Sequence, residues 1–69
     1  MITYTVVNLE TGAEGEYGTL LAAYQSITKP KLSIRHVQAH ILNYGSVSFD
    51  THNGESFAIE RDYDGVYNA

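Results

Sequence analysis

The stretch Ser46-Val47-Ser48-Phe49-Asp50-Thr51-His52-Asn53-Gly54-Glu55-Ser56-Phe57-Ala58-Ile59-Glu60-Arg61 admits two hairpin registers. A two-residue loop at Asn53-Gly54 sets Phe49 against Ala58 and Val47 against Glu60. Directly opposed residues share a face of the ribbon, so this register puts Phe57 and Ile59 on the opposite side from Val47 and Phe49. A three-residue loop at His52-Asn53-Gly54 sets Phe49 against Phe57 and Val47 against Ile59, with all four apolar side chains on one face. It also puts Gly54 at the last loop position, where a left-handed residue makes the bulge that such loops require. Turn chemistry and apolar pattern agree on the second register.

Outward from this hairpin, the same logic assigns the rest. Ile2, Tyr4 and Val6 alternate with Thr3 and Thr5, a half-buried strand. Gly12 marks the next turn. A loop centred on Thr11-Gly12 would set Val6 against Tyr17 and keep Tyr17 with Ile2, Tyr4 and Val6. Gly15 weakens the returning strand, which should be short and lie at a sheet edge. Glu10, Glu14 and Glu16 would protect that edge from foreign strands. Thr19 caps a helix expected over Leu20–Ile27, with Leu20, Tyr24 and Ile27 on its apolar side and Leu21 and Ala23 beside them. Pro30 ends that pattern, so Thr28–Leu32 is a loop. Ser33 caps a second helix over Ile34–Asn43 with an apolar stripe of Ile34, Val37, Ile41 and Leu42, and Gly45 stops it. In the tail, Asp64-Gly65 is a turn signal, after which Val66 and Tyr67 fold back or add a short strand. The order is ββααββ: one α+β domain over residues 1–69, an antiparallel sheet of two hairpins with two helices packed on one face.

Size and composition limit function. Sixty-nine residues support one small core and a stability of about 3–8 kcal/mol. A deep cavity does not fit beside that core, so a site must be a groove, an exposed face or a subunit interface. Cysteine is absent, which removes disulfides, thiolate metal sites and cysteine nucleophiles and favours a reducing cytoplasmic setting. No run approaches the ~20 apolar residues of a membrane span. Nucleophile elbows, phosphate loops and a complete calcium loop are all missing, so the chain is read as a cofactor-free protein and not an enzyme.

Charge gives the functional hint. Four Lys/Arg stand against eight Asp/Glu, a net charge of −4. Most of the acids lie near the two ends: Glu10, Glu14 and Glu16, then Glu60, Asp62 and Asp64, interleaved with Tyr63 and Tyr67. If the ends meet in space, Glu14, Glu16, Glu60, Asp62, Tyr63, Asp64 and Tyr67 form an acidic, tyrosine-bearing surface suited to a basic groove on a protein partner. In type the chain is similar to the small acidic accessory proteins of phages and other mobile elements, which implies inhibition or redirection of a host protein complex. A homodimer through a sheet edge is a third reading.

Against the acid stands one basic spot, Lys29, Lys31 and Arg35, near the start of the second helix. Leu20–Ile27, the loop, Ser33–Asn43 and the Ser46–Arg61 hairpin follow one another as helix, turn, helix, wing. That order resembles the second half of a winged-helix DNA-binding domain over about two thirds of the chain. The resemblance implies that Arg35, Gln38 and Asn43 reach base edges or phosphates, with His52–Glu55 as the wing tip, and a regulator of this type would use Lys29, Lys31, Arg35 and Gln38 on DNA. Two strands replace the usual first helix, and the wing carries Asp50 and Glu55 in place of basic residues. Nucleic acid is therefore the secondary expectation. His36 and His40 share a helix face at metal-ligand spacing, and His52 and Asp50 are further candidates. Without the glutamate of a helical zinc motif they read as exposed polar residues, and no metal site is assigned.

Overall fold

The computed structural model describes residues 2–63. The order along the chain is β1 (Ile2–Asn8), β2 (Glu14–Tyr17), α1 (Leu20–Gln25), α2 (Ile34–Tyr44), β3 (Ser46–Asp50) and β4 (Ser56–Tyr63). The strands form one antiparallel sheet ordered β2-β1-β4-β3. The expected α+β architecture is present, and the strand order, which the sequence left open, comes from pairing the first strand with the last. Asp64 and Tyr67, with the Asp64-Gly65 turn, lie outside the described residues.

The second hairpin has the three-residue register: Phe49 opposes Phe57 and Val47 opposes Ile59. Gly54 takes a φ of +86°, a conformation that costs residues with a Cβ about 1 kcal/mol or more. The loop is anchored by Thr51, only 1% exposed, whose Oγ1 accepts from the amides of Asn53 and Glu55. Thr51→Val keeps the shape and removes that acceptor. It is expected to cost about 1–3 kcal/mol, because two loop amides lose their partner. In a urea melt the midpoint should fall by about 1–2 M, and an unchanged midpoint would contradict this role for Thr51.

The first hairpin differs from expectation by two residues. Tyr4, not Val6, opposes Tyr17, and Val6 opposes Gly15. Asn8 is the cause. Its Oδ1 accepts from the amides of Glu10 and Thr11, its backbone N–H donates to the Ala13 carbonyl, and its carbonyl accepts from Gly12. This closes a four-residue loop over 9–12, with Gly12 at φ +80°. A shift of two preserves faces, so Tyr17 still shares a side with Tyr4 and Val6.

Both helices start at the expected caps: Thr19 accepts from the Ala22 amide and Ser33 from the His36 amide. Helix α1 ends two residues early. Ser26 donates its hydroxyl to the Ala23 carbonyl, and the Ile27 amide bonds Tyr24 instead of continuing the α ladder. That tighter turn aims Ile27 into the core. Helix α2 stops at Gly45 in the left-handed conformation. It buries Val37 and Ile41 but leaves Leu42 74% exposed, so Leu42 does not belong to the apolar stripe. Successive helical residues differ by about 100°, and α2 meets the sheet along a line too narrow to reach it. Leu21 is likewise exposed.

Between the helices, the loop runs along the outer edge of β3. Pro30 bridges Thr51, the Lys31 amide donates to Asp50 and the His52 amide to Lys29. Tyr24 ties the loop to α1 by donating to the Leu32 carbonyl. The core is one layer between helices and sheet: Val6, Val47 and Ile59 from adjacent strands against Ala23, Ile27, Val37 and Ile41. Strand β4 runs two residues past the hairpin, to Tyr63, because β1 supplies Thr3 and Ile2 as partners there.

Candidate functional site: an acidic sheet face

The core residues of the sheet occupy alternate positions, so their neighbours in sequence lie on the other face, which no helix among the described residues covers. Register assigns that face to Thr3, Thr5 and Val7 of β1, Glu14 and Glu16 of β2, Ser46, Ser48 and Asp50 of β3, and Ser56, Ala58, Glu60 and Asp62 of β4. Five of these are carboxylates, and none is basic. The four Lys and Arg residues lie elsewhere: Lys29 and Lys31 in the α1–α2 loop, Arg35 on α2, and Arg61 at a helix-side position opposite Tyr4.

The carboxylates are ordered by the ladder. Glu16 and Glu60 both flank Thr5, one on each neighbouring strand. Strand spacing puts those two positions about 10 Å apart, and Glu14–Glu16 and Glu60–Asp62 are each separated by about 7 Å along a strand. Thr5 is nearly buried, and its hydroxyl donates to Asp62 Oδ2 at 2.8 Å across the β1–β4 pair. At the other end of the face, Ser56 donates to Asp50 Oδ1 at 2.8 Å. The side chains of Glu14, Glu16, Glu60 and Asp62 are exposed.

The two acidic ends of the sequence thus meet because β1 pairs with both β2 and β4. Tyr63 alternates with Asp62 along β4 and stands in register with Ile2, in the series of Tyr4 and Arg61. Asp50 and Thr5 are members of this face that the sequence analysis did not assign to it. The alternation of Ser46, Ser48 and Asp50 against Val47 and Phe49 carried that information for Asp50.

The basic positions are exposed as well. Arg35 and Gln38 are one turn apart on α2, and the Lys29–Lys31 segment abuts the β3–β4 loop. Lys29 itself has a φ of +52°, the left-handed turn that brings Pro30 to the sheet edge. His36 Nδ1 lies 2.8 Å from the Ser33 hydroxyl, and the His40 ring leans on Tyr44 at 5.9 Å. Among the described residues, no three His, Asp or Glu side chains converge on a point where a metal ion would sit.

Two shallow depressions mark the surface. One, of about 260 Å³, lies beside Leu9, Phe49 and Asp50. The other, of about 230 Å³, lies beside Val6, Tyr17 and Phe57 with Glu14 at its rim. Among the described residues, each is lined by one carboxylate, Asp50 in the first and Glu14 in the second. No helix among the described residues is long and apolar enough to cross a membrane. Comparison with protein-family models, with curated proteins and with solved structures finds no match for this chain.

Proposed function

We propose that this protein is a non-enzymatic binding module whose helix-free sheet face docks on a basic surface of a protein partner. The observation that carries the proposal is the segregation of charge: Glu14, Glu16, Asp50, Glu60 and Asp62 share one open face that has no basic position. A rigid sheet holds these carboxylates at fixed spacings, so a complementary array of Lys or Arg is recognised with little ordering cost. The bond from Thr5 to Asp62 fixes one of them further. Inhibition or redirection of a host complex, in the manner of phage accessory proteins, is the biological form we assign to this binding. Asp64 and Tyr67, which follow Asp62 in the sequence, are proposed to extend this contact; Tyr63 stands at a helix-side register position and is not part of it.

The proposal is tested by titrating a Lys/Arg-rich peptide into labelled protein and following backbone amide shifts at low salt. The expected shifts concentrate on 3–7, 14–16 and 58–62, and shrink as salt screens the contacts. Shifts confined to α2 and the 28–32 loop would contradict it. The second reading, a winged-helix-like regulator, draws support from the exposed Arg35 and Gln38 on one side of α2 with Lys29 and Lys31 nearby. Salt-sensitive binding to random duplex DNA that is lost in Arg35→Ala would favour it.

A further inference from the structure

We propose that the outer edge of β3 is a self-association seam, on which a second copy of this chain pairs its own β3 in antiparallel fashion to make a continuous eight-stranded sheet. The direction of the backbone groups is fixed by bonds already present. Gly45 accepts from Arg61, and Thr51 donates to Glu55, so odd-numbered residues of this segment face β4. Asp50 accepts from Lys31 and His52 donates to Lys29, so even-numbered residues face outward. Ser46 and Ser48 therefore present both N–H and C=O at the edge, and among the described residues no strand or loop backbone pairs with them there.

Three features commit this edge to a second copy. The first is length. The open stretch is bounded on one side by Gly45, where the chain turns out of the sheet into α2, and on the other by the Lys31–Asp50 bond. A long foreign strand would collide with the 29–31 segment. Two copies of this short stretch cover each other completely, with Ser46 against Ser48 of the second copy, Ser48 against its Ser46, and Val47 against its Val47. That register forms two hydrogen-bonded pairs about the two-fold axis and joins the Val47 side chains on the helix side. The second feature is side-chain guarding. The opposite edge of the sheet, β2, carries Glu14 and Glu16 at its outward positions, whereas β3 carries two serines. The third is Tyr44, 75% exposed at the end of α2 immediately before the seam. The antiparallel register brings it beside the 29–31 segment of the second copy, where Pro30 and the lysine stems offer an apolar surface.

A two-fold axis normal to the sheet leaves both acidic faces on the same side, so the dimer doubles that surface without covering it.

The test is molar mass by light scattering over a concentration series reaching about 1 mM, the range in which weak pairing saturates. The wild-type chain is expected to pass from 7.6 kDa to twice that mass. Ser48→Pro removes only an outward N–H, leaves the β3–β4 ladder intact, and is expected to stay monomeric. Ser48→Lys places two like charges across the seam and is expected to do the same with an unchanged far-UV spectrum. A wild-type chain that remains at 7.6 kDa throughout, or assembly that survives in Ser48→Lys, overturns the proposal.

Discussion

Ile59→Ala is expected to leave the chain largely unfolded at room temperature. Ile59 is fully buried and sits on β4 between Val6 of β1 and Val47 of β3, so it belongs to both hairpins at once. Truncating a buried isoleucine costs about 2–5 kcal/mol, and the upper half of that range applies where rigid strands on both sides prevent the gap from closing. A domain of this size holds only about 3–8 kcal/mol in all. The loss should appear as collapse of the amide spectrum or a urea midpoint near zero. Ile59→Val is expected to cost about 1 kcal/mol and to remain folded. A well-dispersed spectrum for Ile59→Ala, with a midpoint close to wild type, would mean that the two hairpins do not depend on that row for their union.

The double reversal Glu16→Lys, Glu60→Lys is expected to separate binding from folding. Both side chains are exposed on the open face and take part in no hydrogen bond among the described residues, so stability should change by less than about 0.5 kcal/mol. The reversal cancels the net charge of −4 and turns two attractions into repulsions at the centre of the proposed surface. Close interfacial charge pairs are coupled by about 1.5 kcal/mol or more, so the pair together should weaken partner binding by about 3 kcal/mol. That corresponds to about 100-fold in Kd. Arg35→Glu on α2 is a reversal away from the sheet face and of opposite sign, and should change affinity by less than about threefold, a rim-like effect. General electrostatics toward a basic partner would make Arg35→Glu bind more tightly, so a loss from it equal to that of the double reversal would place the contact on α2 and contradict the sheet face.

Local signals were read most fully. The His52-Asn53-Gly54 loop, both helix caps and the Gly45 stop each depend on a few adjacent residues whose chemistry admits one solution, and all are found as expected. Sequence pattern and structure part where a side chain several residues away decides the outcome. Asn8 moved the first turn by claiming two loop amides, which a search centred on Gly12 does not reveal. Leu42 fits the helical period, but burial depends on how much of α2 the sheet can touch, a tertiary quantity. The acidic site was legible as two clusters at opposite ends of the sequence. Their union required β1 to pair with β4, a contact spanning nearly the whole chain that local patterns do not encode.

Zero-length carbodiimide crosslinking reports which face of the protein meets its partner, because it joins a carboxylate to a lysine only where the two are in contact. Applied to the protein in lysate of its organism of origin, followed by peptide mapping, it should link Glu14, Glu16, Glu60 or Asp62 to lysines of one recurrent partner. Crosslinks that run instead from Lys29 or Lys31 to acidic residues of the partner, with the sheet carboxylates unmodified, would contradict it.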